Sequence, residues 1–273
     1  AAMNWPTAIW SAAAGACLML GGLHLAVWCR DRRAWASLVF AGTAVCVAGH
    51  AFNELHMMLA RTPAEFGAWL RWSHPWSFLA ISGTVVFIRL YLGTGRLWLG
   101  GLVIGVRLVS LGLNFGFPLG INYREIAGLR LVPFLGGEAA VAGDAVVNPW
   151  VWLAQSTFAL WLIYVVDATA ALWRRGSSEE RRRALVVGGS MALFIVLGAG
   201  HAVLALNGLI PSPLMASLPF VLTIFAMGWE LSRHVLRAAR LAHELEASER
   251  RLSLAAPAAH VALWEWRAGR RDL

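Results

Sequence analysis

Seven stretches of this chain stay apolar for about 20 residues each, the length of helix that crosses a bilayer's hydrocarbon core. They fall at roughly 6–28, 35–59, 75–92, 97–116, 150–173, 184–206 and 214–231. Inside hydrocarbon every backbone N–H and C=O must be satisfied within its own segment, so a stretch of this kind folds as a helix. The pattern predicts an all-α membrane protein, a seven-transmembrane-helix bundle.

Composition agrees. The chain is 59% hydrophobic and 14% charged, where a soluble domain carries about 25% charged residues. All 23 basic residues are Arg. Without Lys no retinal Schiff base can form, which removes the rhodopsin reading of a seven-helix count. The formal charge of +8 is no nucleic-acid signature, because the Arg residues cluster between apolar spans. The three cysteines, Cys17, Cys29 and Cys46, lie in or beside apolar spans and form no CxxC pair, so they read as small buried residues.

Arg distribution sets an orientation. With the N-terminus outside, 14 Arg fall on the inner side, among them Arg30, Arg96, Arg174, Arg182 and Arg233, and 4 (Arg61, Arg71, Arg124 and Arg130) on the outer. N-out and C-in is the expectation. Trp residues gather at both sets of span ends, Trp5, Trp10, Trp72 and Trp150 outside and Trp28, Trp35, Trp98 and Trp173 inside, as headgroup anchors do. On the outer side, Thr62, Pro63 and Glu65 read as a capping box opening an interfacial helix over 61–74. The longest outer segment, 117–148, has apolar runs on either side of Gly136-Gly137 and reads as an exterior hairpin or lid loop.

The last span runs on without a turn signal. Ala238, Leu241, Leu245, Ser248, Leu252 and Ala255 occupy a and d positions of a short parallel coiled coil. Three regions result: a seven-helix domain over 1–231, a signalling helix over 232–255, and a further segment over 256–273. In that last segment and just before it, ASERRLSLAAPAAHVALWEWRAGR resembles the start of a PAS domain in bacterial sensor kinases. Ser248, Glu249, Arg250, Leu254, Ala255, Ala258, Ala259, Trp264, Glu265, Trp266 and Gly269 carry the likeness. Ala262 and Arg267 stand where Gly and Asp are usual. The region before it resembles the seven-helix input domains of such kinases through NYREI (122–126), NPW (148–150), the Asp167 segment VVDATAALWRRG, RRRALVVGGS (181–190) and AMGWELSRHVLRAARLAHEL (226–245). The resemblance implies a dimeric receptor of two-component signal transduction in the bacterial inner membrane. It also implies a kinase module beyond Leu273 and a cognate response regulator as partner of the full-length protein.

Ionisable groups at bilayer depth mark functional candidates. An outer layer contains His50, Glu54, His74, Asn114 and His201, the ligand-binding candidates. His50 and Glu54, four apart, share a helix face. Imidazole with carboxylate suits a metal ion on His50, Glu54 and His201, a haem held through two His, or a quinone or polar metabolite held by hydrogen bonds. An inner layer contains Arg89, Asp167 and Glu230, with Arg89 and Asp167 at one depth as a possible ion pair and snorkelling of Arg89 as the alternative. Arg107 is deeper and needs a partner such as Glu54 or water. Pro219 is expected to weaken the upper turns of the seventh span. No GxSxG, Walker, Rossmann or HExxH motif is present.

The sequence thus reads as a sensory input domain detecting a small molecule or ion in the outer half of the bundle, with no catalytic residues of its own. The alternatives are a seven-helix intramembrane metal-dependent hydrolase, the input domain of a diguanylate cyclase, and a transporter.

Overall fold

The computed structural model describes residues 5–258. The WEW motif and the rest of 259–273 lie outside the described residues. The chain divides into two units, Ala1–Glu230 and Leu231–Leu273.

The first unit is helical, with one small β excursion. Its helices are α1 (Trp5–Arg30), α2 (Trp35–Met58), α3 (Pro63–Leu92), α4 (Leu97–Gly116), α5 (Val151–Arg175), α6 (Ser178–Phe194) and α7 (Gly200–Leu206), followed by the opening of α8 (Ser217–Ala258). A π-helical turn, Ile195–Ala199, joins α6 to α7. Among the described residues, six helices are long and apolar enough to cross a membrane: α1 to α5 and the composite Ser178–Leu206. This is a multi-pass membrane protein of the all-α class. α2 packs against α1 and α3, and α5 against α4 and α6. Small residues permit close approach: a Cβ at Gly49 would meet the Trp76 ring at 2.6 Å.

The third helix differs from expectation. Residues 61–74 form no separate interfacial helix; Thr62 caps α3, residues 63–74 are its first turns, and the helix continues past Pro75. Proline has no N–H for the carbonyl four residues back. That carbonyl belongs to Arg71, and Asn114 Nδ2 donates to it at 3.0 Å instead. Only half of the capping box forms. Thr62 Oγ1 accepts from Glu65 N at 3.2 Å, while the Glu65 carboxylate accepts from Arg61 N at 3.0 Å.

Between α4 and α5 lie β1 (Tyr123–Ile126), β2 (Leu129–Phe134), β3 (Gly137–Ala142) and β4 (Ala145–Val147). They form two nested antiparallel pairs, β2 with β3 inside β1 with β4. The expected hairpin is present, with its turn one residue earlier: Leu135 and Gly136 both have positive φ, 48° and 75°. Val132, Ala139 and Val141 pack on Trp10, Ala51, Leu55 and Met58. Tyr123 and Ile126 pack on Met57, Phe66 and Leu70. The excursion therefore sits over the ends of α1, α2 and α3, which defines the hairpin end of the bundle. Tyr123 donates to Leu206 O at 2.9 Å, and burial pushes its phenol up to about 12.

In the second unit α8 continues to Ala258, a helix of 42 residues in all. Leu236, Leu241 and Leu245 are exposed along it.

Candidate functional site

At the hairpin end the helices enclose a cavity of about 90 Å³, enough for several waters or one small molecule. α2 contributes His50 and Glu54, α3 Ser73, His74 and Ser77, α4 Arg107, the loop before β1 Asn122, and α5 Gln155, Phe158 and Trp161. Phe194, Leu206 and Phe220 add apolar walls from α6, α7 and α8.

Glu54 is 1% exposed, and its carboxylate is heavily engaged. Trp10 Nε1 donates at 3.0 Å. Ser217 donates its backbone N–H at 3.1 and 3.2 Å, and its hydroxyl donates to the same carboxylate. His50 Nε2 lies 3.4 Å away. Ser217 is the first residue of α8, so the carboxylate caps that helix where N–H groups lack intrahelical partners and the helix dipole favours negative charge. Trp10 in turn meets Phe134, at the tip of β2, edge-on at 5.9 Å. One buried carboxylate links cavity, hairpin and the start of α8.

The other candidates separate. His74 accepts at Nε2 from Asn122 Nδ2 at 2.9 Å, which fixes the neutral ring against the loop before β1. His50 Nδ1 is 3.5 Å from Ser77 Oγ. Asn114 is outside the cavity lining. It bonds the Arg71 carbonyl and accepts from Ile121 N at 3.1 Å, repairing the Pro75 gap and fixing the loop. His201 is outside the cavity lining; its Nε2 is 3.0 Å from Ser212 Oγ. His50, Glu54 and His201 share no open centre. Among the described residues no group of three or more His, Cys, Asp or Glu is placed to hold a metal.

Arg107 is 3% exposed and pairs with neither Glu54 nor any other carboxylate among the described residues. Its guanidinium stands 5.8 Å from the Phe158 ring centre. Gln155 has neither amide atom bonded, and Trp161 Nε1 is also without a partner. Gln155 is not among the sequence candidates; Trp161 stands out in the sequence only as a Trp placed mid-span, away from the span ends where the others gather.

At the opposite end the two acids are answered. Glu230 receives Arg182 through two bonds of 2.8 and 2.7 Å. Asp167 pairs with Arg96 at 3.3 Å, so of the two alternatives for Arg89 the ion pair with Asp167 does not form. Arg89 instead donates to the carbonyls of Gly93 and Gly95 at 3.3 and 3.5 Å, at the turn that ends α3. Pro219 falls in the first turn of α8, where its missing N–H costs no helical bond, so the expected weak point is absent.

No protein-family model matches the chain, and no curated protein or solved structure matches it.

Proposed function

We propose that this chain is the membrane sensory domain of a signalling receptor, detecting a small ligand in the cavity at the hairpin end and passing the change along α8. The observation that carries this reading is the Glu54 carboxylate, which lines the cavity and also caps α8 at Ser217. A ligand that moves Glu54 or His50 alters the anchoring of the one helix that runs on to Ala258. Only about 1–2 kcal/mol of differential binding is needed to change output several-fold.

The start of α8 acts as a seventh span. The hairpin end faces outward and the C-terminus lies in the cytoplasm of a bacterium, as the Arg asymmetry argues. Exposed Leu241 and Leu245 suit a parallel two-stranded coil between copies, feeding a PAS and histidine kinase module or a diguanylate cyclase. The hydrolase reading has less support: Glu54's oxygens are taken by Ser217 and Trp10 and His201 is turned to Ser212.

Cross-linking in membranes tests the reading. L241C and L245C should form disulfide-linked dimers and R240C far fewer. E54Q should shift that cross-linking pattern while the protein stays folded. Equal cross-linking at all three positions, or a pattern indifferent to E54Q, overturns it. Cysteines at Asp144 and Ser177 should label from opposite faces of the membrane; labelling from one face overturns the topology.

A further inference from the structure

We propose that the cavity is a receptor site for a small amphipathic carboxylate, its head group on Arg107, Gln155 and Trp161 and its short apolar body against the aromatic wall. This rests on the sensory reading above and specifies its ligand.

The three side chains are buried: Arg107 is 3% exposed, Gln155 8% and Trp161 1%. All three line the same cavity. Gln155 Nε2 and Trp161 Nε1 are donors without acceptors, and Arg107 brings up to five N–H donors and a permanent positive charge. A buried cation with no counter-charge is unfavourable by itself, and buried donors without acceptors add to that cost. Such an arrangement persists where something else benefits from it, and the group that answers a guanidinium, an amide N–H and an indole N–H together is an oxyanion. Carboxylate suits the guanidinium fork through two parallel bonds.

The acidic residue in the same cavity does not serve this purpose. Glu54 is committed to Ser217 and Trp10, and no ion pair joins it to Arg107. Gln155, Phe158 and Trp161 follow one another at three-residue spacing on α5, so head-group donors and apolar contact alternate along one ridge. Phe194 and Phe220, stacked with ring centres 4.3 Å apart, close the far wall. A volume of about 90 Å³ is below that of an engineered cavity that takes benzene, about 150 Å³, which points to an acid with a body of a few carbons. A divalent cation is disfavoured by Arg107 itself. A neutral ligand leaves its charge unanswered.

The test uses the 273-residue chain in nanodiscs of neutral phosphatidylcholine, where no anionic lipid competes. Calorimetry and thermal shift compare butyrate and valerate with butyramide and 1-butanol. Saturable binding of the acids is expected, with the amide and alcohol at least tenfold weaker. R107Q should weaken acid binding at least tenfold and Q155L several-fold, while R107K should retain part of it. R107Q should also melt no lower than the parent without ligand, which separates lost binding from lost folding. Butyramide binding as tightly as butyrate, R107Q binding butyrate normally, or no acid binding at all overturns the proposal. Butyrate binding that leaves L241C cross-linking unchanged upholds the site and overturns the sensory reading instead.

Discussion

The two ends of the bundle treat their charged groups in different ways. Away from the hairpins, Glu230 is met by both arms of Arg182 and Asp167 by Arg96. At the hairpin end Arg107 has no carboxylate among the described residues, Gln155 has no partner for either amide atom, and the buried acid, Glu54, spends its bonds on the start of α8. A fully answered pair fixes register and has nothing left to offer a ligand. An unanswered charge weakens the fold locally and leaves a site open. By this contrast the opposite end reads as scaffold, and the hairpin end is where we propose that a ligand binds.

The largest effect should come from breaking the answered end. R182A strands the Glu230 carboxylate, which is 2% exposed, and should lower stability by about 3 kcal/mol. A melting curve in detergent checks it, and a drop no larger than that of a surface Arg substitution would erase the contrast. Next is E54Q. Gln keeps one acceptor oxygen and replaces the other with a donor facing Ser217 and Trp10, for an expected loss of about 2 kcal/mol. Adding S217A should then cost little more, because the two residues share the bonds.

R107M should reverse the sign. Removing a buried, unpaired cation for an apolar side chain of similar length should raise stability by about 1 kcal/mol. A fall would mean that Arg107 has a structural partner and that the hairpin end is not open. The smallest change is at Leu135, whose φ of 48° suits Asn or Gly better than a γ-branched side chain. L135N should gain about 0.5 kcal/mol without altering butyrate binding, as befits a residue at the hairpin tip. Alkaline titration adds a check on the sheet. Tyr123 holds its proton more tightly folded than unfolded, so its contribution is intact below about pH 10 and is lost as pH rises through about 12. Y123F should remove that dependence and lower stability at neutral pH by about 1 kcal/mol.

The helices were legible because an apolar run of span length admits little else; α1, α2, α4 and α5 lie within a few residues of expectation. The start of α3 was not. Pro75 looks like a helix beginning until Asn114, distant in sequence, supplies the bond that Pro75 cannot. The site was half legible. His50 and Glu54 announced themselves by spacing along one helix. Trp10 read as a headgroup anchor and Ser217 simply fell within the seventh span, since nothing local ties either to Glu54, 44 and 163 residues away. Arg182 was counted with the loop charges, although it reaches Glu230 on α8. Spacing reports neighbours on one element; partners across elements depend on packing that a pattern does not encode.

The nested pairing of β1 with β4 around β2 and β3 has an evolutionary consequence. Asn148 N donates to Asn122 O at 2.9 Å, so the excursion leaves and rejoins the bundle almost at one point. Insertions or deletions at its tip, between Phe134 and Gly137, leave the spacing between α4 and α5 untouched. Descendants of this chain can therefore lengthen, shorten or exchange the cap while inheriting the helices unchanged, and the cap can diverge faster than the helices beneath it.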